Sequence, residues 1–201
     1  SNVTDLVHAA EALARDHAPP ELLVGHSLGG AAALSAARRL DSVKAVVTIG
    51  APATAQHVRH LLAEHEDTII KEGEACVSLA GRRFPIRKQF LEDIDSYDSA
   101  EEIRKLDAAL LVFHSPVDEV VSIDEAARIY QSALHPKSFI SLDRADHLLT
   151  RAEDSEYVAS TLTSWACRYR DLGPGPTSGG SPDLAAGDGR GAVRAMKWVR
   201  G

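Results

Sequence analysis

The chain is short of the features that mark several large function classes. Its only two cysteines, Cys76 and Cys167, lie far apart with no C-x-x-C spacing, so neither a disulfide framework nor a cysteine-based zinc site is suggested. A reducing, cytoplasmic compartment is the expectation that follows. No apolar run approaches the roughly 18 residues that a membrane-spanning helix needs, and the N-terminus lacks a basic segment followed by an apolar one. Neither an anchor nor secretion by that route is expected. Positive charge is also in deficit: 22 Lys and Arg against 29 Asp and Glu give a formal charge of -7. Such a balance leaves no electrostatic footprint for phosphate backbones or anionic lipid, so nucleic acid and membrane are poor candidate partners. Met196 is the only methionine and Ser1 stands first, so a processed or truncated chain enters as an expectation. No internal repeat is visible.

What is present suits one soluble α/β domain. With 201 residues, 44% of them hydrophobic and 25% charged, the chain can bury one sizeable core. Asn2 and Thr4 are candidate helix caps, and Val3, Leu6, Val7, Ala10, Leu13 and Ala14 recur at helical spacing up to Pro19 and Pro20. Leu22, Leu23 and Val24 read as a strand, LGGAAALSAARRL as an alanine-rich helix, KAVVTIGAP as a buried strand and TAQHVRHLLAEHEDTI as a mostly helical stretch. EACVSLAGRRFPIRK interrupts this alternation. Its two runs flank Ala80 and Gly81 as a hairpin would, and Pro85 demotes the second towards an edge. Two short helices, the strand ALLVFHS, a helix with Ile123, Ala126, Ala127 and Tyr130 on one face, the strand KSFISLD and a last helix complete the pattern. Strands separated by helices predict a mostly parallel sheet covered on both faces, with a small hairpin insertion. Residues 1–170 form the expected domain. Eight of the fourteen glycines fall in 171–201, which reads as a Gly/Pro-rich linker or disordered tail.

The chemistry concentrates in LLVGHSLGG. A serine hydroxyl is a weak nucleophile until a fixed base takes its proton. A sharp turn from strand to helix would lift the Ser27 hydroxyl above the sheet and aim the helix N-terminus at it, with the backbone N–H of Leu28 placed to stabilise an oxyanion. On this reading Gly25 and Gly29 give the turn its room beside His26, and Gly30 lets the helix pack closely. A G-x-S-x-G match also arises by chance, as a serine in an ordinary tight turn; the strand before and the helix after favour the nucleophile. Partners are sought on loops after later strands. Asp118, in HSPVDEVV, is preferred over Glu119, which should meet solvent, over Asp124, which should cap the next helix, and over Asp143 and Asp146, which precede the histidine too closely. His147, in DRADHLLT, is the expected base because it follows the last strand. His26 and His114 read as packing; His8, His17, His57, His60, His65 and His135 read as solvated. No metal site and no cofactor is expected.

In that order, GHSLGG, HSPVDEVV and ADHLLT resemble the α/β-hydrolase family, from Asp5 to about Arg170. GEACVSLAGRRFPIRKQFLEDI and HPKSFISLDRADHLL are similar to the hydrolase half of bacterial proteins that fuse such a domain to an OsmC-type peroxidase domain. The resemblance implies a small-lidded serine hydrolase acting on a small acyl substrate, with Ser27, Asp118 and His147 at the triad positions and an OsmC-type domain as fused or associated partner. In the full fold further strands, and a loop donating a second oxyanion N–H, precede the nucleophile. Only one helix does so here, so N-terminal strands are expected to be missing and activity to be weak or lost. A non-catalytic docking or regulatory module is the competing expectation. Cys76 and Cys167 lack a peroxidatic context and are expected to be inert buried thiols.

Overall fold

The computed structural model describes residues 2–79, 82–95 and 99–169. The Ala80–Gly81 turn and the Gly/Pro-rich segment 171–201 lie outside the described residues. Helix α1 (Asn2–Asp16) leads into β1 (Leu22–His26), α2 (Leu28–Ala37) and β2 (Ala45–Ile49). An inserted stretch follows: α3 (Ala55–Leu62), α4 (Glu66–Glu72), the strands β3 (Glu74–Leu79) and β4 (Arg82–Arg87), then α5 (Lys88–Asp95) and α6 (Ser99–Arg104). The chain returns through β5 (Ala109–His114), α7 (Ile123–Ser132), β6 (Lys137–Ser141) and α8 (Ala152–Ala166), which runs into a short 3-10 turn at Cys167–Tyr169.

Strands β1, β2, β5 and β6 lie side by side in that order, all parallel, with Val47 opposite Val24 and Leu111. The central pair, β2 and β5, is buried at every position, which is why both read as continuous apolar runs rather than alternating ones. Side chains of successive residues leave on opposite faces. Leu23, Val46, Leu110 and Val112 pack with α1, α2, α6 and α7. Val47, Ile49, Leu111 and Phe113 pack with Val158, Leu162 and Trp165 of α8. A third cluster joins Val58, Leu62 and Ile69 to Val77, Ile86 and Leu91, and Leu28 packs against it, so the insertion seats beside the first turn of α2.

Several expectations are corrected. The mostly helical stretch from Thr54 divides into α3 and α4, and Asn2 and Thr4 lie within α1 instead of capping it. The buried face of α7 consists of Glu125, Ala126 and Ile129; Ala127 is exposed and Tyr130 only half-buried, because the neighbouring strand and α6 meet the helix one residue earlier in its turn. Cys76 and Cys167 are both exposed. The hairpin packs one face only, so Ala75 and Val77 turn inward and Cys76, opposite Pro85, turns out. Cys167 starts the turn after α8. Among the described residues no helix is long and apolar enough to cross a membrane.

The observed face of α7 sets a stability contrast. Ile129→Ala should cost about 2–5 kcal/mol by urea unfolding, because it leaves a cavity in the core. Ala127→Ser should stay within ~0.5 kcal/mol of the parent. The reverse ranking would show that the helix face is misassigned.

Candidate active site

Because the four strands are parallel, their C-terminal ends line one edge of the sheet, and the loops that leave them meet there. The first turns at Ser27, whose backbone sits at φ 54°, ψ -128°. For a residue with a Cβ this is a strained conformation, typically costing about 1–3 kcal/mol. Bonds on both sides hold it: Ser27 N–H donates to Ile49 O at 2.9 Å, and Gly30 N–H donates to Ser27 O at 2.9 Å. Leu28 opens α2, where the helix ladder supplies its N–H with no acceptor.

The glycines divide differently from the sequence reading. A Cβ on Gly25 would lie 2.2 Å from Gly29 O, and one on Gly30 would lie 2.5 Å from the Ala51 Cβ. Both positions must be bare, since the α2 backbone is pressed against β1 and the residues after β2. Gly29 has nothing within 4 Å of its Cβ direction, so it is not needed for room.

The structure brings Ser27, Asp118 and His147 together. His147 Nε2 lies 3.1 Å from Ser27 Oγ, and His147 Nδ1 lies 2.7 Å from Asp118 Oδ2. The other oxygen, Asp118 Oδ1, accepts the N–H groups of Val120 and Val121, each at 2.9 Å. Burial pushes the Asp118 carboxyl up, but the bond to His147 and the Val121 and Val120 N–H groups outweigh it and hold it below the usual aspartate range. The competing acids stay apart: Glu119 is exposed, and Asp146 turns to the Thr150 backbone N–H and hydroxyl, which hold its carboxyl low. Asp124 is not the cap of α7. That role falls to Ser122, whose hydroxyl accepts from Asp124 N–H at 3.2 Å.

Residues the sequence reading passed over surround this line. Gly50, at φ 55°, leaves β2 so close to the site that a Cβ there would be 3.2 Å from Asp118 Oδ2 and 3.3 Å from His147 Nδ1. A glycine directly after a buried strand was the available signal. Glu125 is a buried carboxylate on α7 that accepts from Ala53 N–H, Thr54 N–H and the Thr54 hydroxyl, pinning the loop that contains Gly50. Its charge amid apolar positions could have marked it. His26, read as packing, reaches across to the His147 carbonyl, with Nε2 to O at 2.7 Å. His114 is fully buried and its Nε2 lies 2.8 Å from Val121 O. His57 is half-buried, not solvated, and its Nε2 lies 3.2 Å from Val120 O, because α3 packs beside the loop that carries Asp118.

Solved structures resemble the chain over most of its length. The esterase domain of a Rhodothermus marinus protein is 47% identical, with 84% of this chain and 70% of that one covered and a TM-score of 0.76. Mouse alpha/beta hydrolase domain-containing protein 10 is 22% identical, over 83% of this chain and 70% of that one, at a TM-score of 0.64. A Paleococcus ferrophilus monoacylglycerol lipase is 14% identical, over 84% and 76%, at 0.68. The last two likenesses concern the fold alone. No protein-family model and no curated protein sequence matches the chain.

Two expectations follow from this geometry. Gly25→Ala should cost several kcal/mol or prevent folding, whereas Gly29→Ala should be tolerated or stabilise by up to ~1 kcal/mol through helix propensity; thermal unfolding of both variants checks the division. Asp118, depressed when folded, contributes stability that is full above its unfolded pKa of ~3.9 and is lost as pH falls through the lower folded value. The stability gap between the parent and Asp118→Asn should therefore be wide at neutral pH and close below about pH 4. A gap independent of pH would contradict the bonding described.

Proposed function

The chain belongs to the α/β-hydrolase family, and from that premise we propose that it is a serine hydrolase that cleaves an ester, thioester or amide of a small acyl substrate. The observation that carries the reading is the unbroken hydrogen-bonded line from Ser27 Oγ through the His147 ring to Asp118. As Ser27 attacks the substrate carbonyl, His147 Nε2 takes the hydroxyl proton, while Asp118 keeps the other ring nitrogen protonated and stabilises the charged imidazole. Leu28 N–H supplies one donor to the oxyanion. Collapse of the tetrahedral intermediate expels the alcohol, thiol or amine with the proton returned by His147. Water, deprotonated by the same ring, then releases the acid and restores the Ser27 hydroxyl.

The esterase domain of the Rhodothermus marinus protein supports an ester as the first substrate class to try. The net charge of -7 disfavours nucleic acid and anionic membrane as partners. An OsmC-type domain, fused or associated, remains part of the proposal through the resemblance of the hairpin segment and the loops after β5 and β6.

A fluorophosphonate probe should label Ser27 covalently, and Ser27→Ala should abolish the labelling. Asp118→Asn should retain the fold while lowering kcat on a short nitrophenyl ester by about 10⁴-fold, and His147→Ala by at least as much. Absence of labelling in the folded parent would favour a non-catalytic docking or regulatory module. Unchanged turnover in His147→Ala would remove the assignment of the base.

A further inference from the structure

The loop between β5 and α7 has to hold one carboxylate oxygen against His147. Its grip on that carboxylate is a pair of consecutive N–H groups, Val120 and Val121, both donating to Asp118 Oδ1 at 2.9 Å. Peptide planes are rigid, so a bond to the Val120 carbonyl orients the Val121 N–H that shares its plane, and a bond to the Val121 carbonyl anchors the next plane, at the C-terminal end of the same stretch. Here each of the two carbonyls has a histidine on it. His57 Nε2 meets Val120 O at 3.2 Å, and His114 Nε2 meets Val121 O at 2.8 Å. A carbonyl oxygen only accepts, so both rings carry their proton on Nε2 and donate. The same His114 nitrogen lies 3.7 Å from Asp118 Oδ2, the oxygen bonded to His147.

We infer that His57 and His114 are a paired clamp that positions the acid: each ring fixes one carbonyl of the Val120–Val121 stretch, and the stretch in turn aims Asp118 at His147. The two rings reach the loop from independent parts of the fold. His114 ends β5, within the sheet, and is fully buried. His57 comes from α3, whose Val58 and Leu62 belong to the core of the insertion. Through one ring nitrogen the insertion is therefore fastened to the acid loop. Neither histidine touches the reacting atoms, and both act through Asp118. The inference rests on the proposed hydrolase reading for its effect on turnover, while the clamp itself is a matter of backbone geometry.

Because His114→Ala would open a cavity in the core, His114→Phe, which keeps the bulk and removes the donor, and the half-buried His57→Ala carry the test. In each, kcat on a short nitrophenyl ester should fall roughly 10- to 100-fold with KM little changed, since misplacing a catalytic group by about an ångström costs that much. His57→Gln and His114→Gln, which retain an N–H donor, should recover most of the rate. In an Asp118→Asn background, His57→Ala should cause no further loss. Amide hydrogen exchange at Val120 and Val121 should accelerate in His57→Ala and His114→Phe, a readout that needs no activity. Parent-like kcat together with parent-like exchange in both variants would overturn the clamp, as would a rise in KM with kcat unchanged, or full additivity with Asp118→Asn. A parent protein that takes no fluorophosphonate would bring down the hydrolase reading and with it the effect on turnover, and the exchange data would still decide whether the clamp exists.

Discussion

Everything at the site depends on how closely the first turn of α2 can approach the sheet. Gly25 and Gly30 face backbone and the Ala51 methyl at distances no Cβ could tolerate. That contact forces Ser27 into a positive φ, and the positive φ lifts its hydroxyl to the level of the loops leaving β5 and β6. Loosening the contact by even one methyl group would let the turn relax and drop the hydroxyl away from His147. The alanine-rich character of α2, seven of whose ten residues are buried, follows from the same requirement: a helix seated this close has room mainly for methyl groups, with Leu34 the one large side chain at its buried positions.

Holding a carboxylate at such a place is costly, because burial favours its neutral form. The structure offsets that cost with charge-assisted bonds to both oxygens: two amides on Oδ1 and the His147 ring on Oδ2. The neighbouring loop is treated alike. Buried Glu125 gathers three donors from Ala53 and Thr54, which keeps Gly50 directly beneath the Asp118 and His147 side chains. Two buried acids on successive segments of chain, one before α7 and one within it, thus organise two loops that have little regular hydrogen bonding of their own.

The parts of this arrangement legible in the sequence are those encoded by periodicity and chain order. Continuous apolar runs gave away β2 and β5, and the order of serine, aspartate and histidine on loops after strands anticipated which polar groups meet. What stayed hidden is what depends on facing. Two glycines at equal distances from a serine look alike in a string of letters, yet only Gly25 is pressed against the α2 backbone, while Gly29 looks into open space. The hairpin was readable, but not that just one of its faces is packed, so Cys76 came out exposed. His57 sits on a helix whose polar positions look solvated; its role emerges only because α3 lies against a loop more than sixty residues later.

The two partners of Ser27 are held in different ways, and the difference suits their chemistry. Asp118 is fixed from beneath, by amides of its own loop and by rings rooted in the sheet and the insertion. In the proposed reaction it remains charged and still throughout a turnover, so a stiff mount is an advantage. His147 has its carbonyl held by His26, an exposed residue, and its loop bends through positive φ at Asp143 and Leu149 on either side. In the proposed reaction its ring serves two positions in succession, first the serine proton and then the leaving group, which lie on different sides of the carbonyl carbon. On that reading, a base on a loop with positive φ on either side of it, bonded at one nitrogen to a firmly held carboxylate, keeps that partner while its other nitrogen serves both positions. The firm mount of the acid is therefore what the proposed proton transfer draws on, and the histidines that grip the acid loop serve it without touching the reacting atoms.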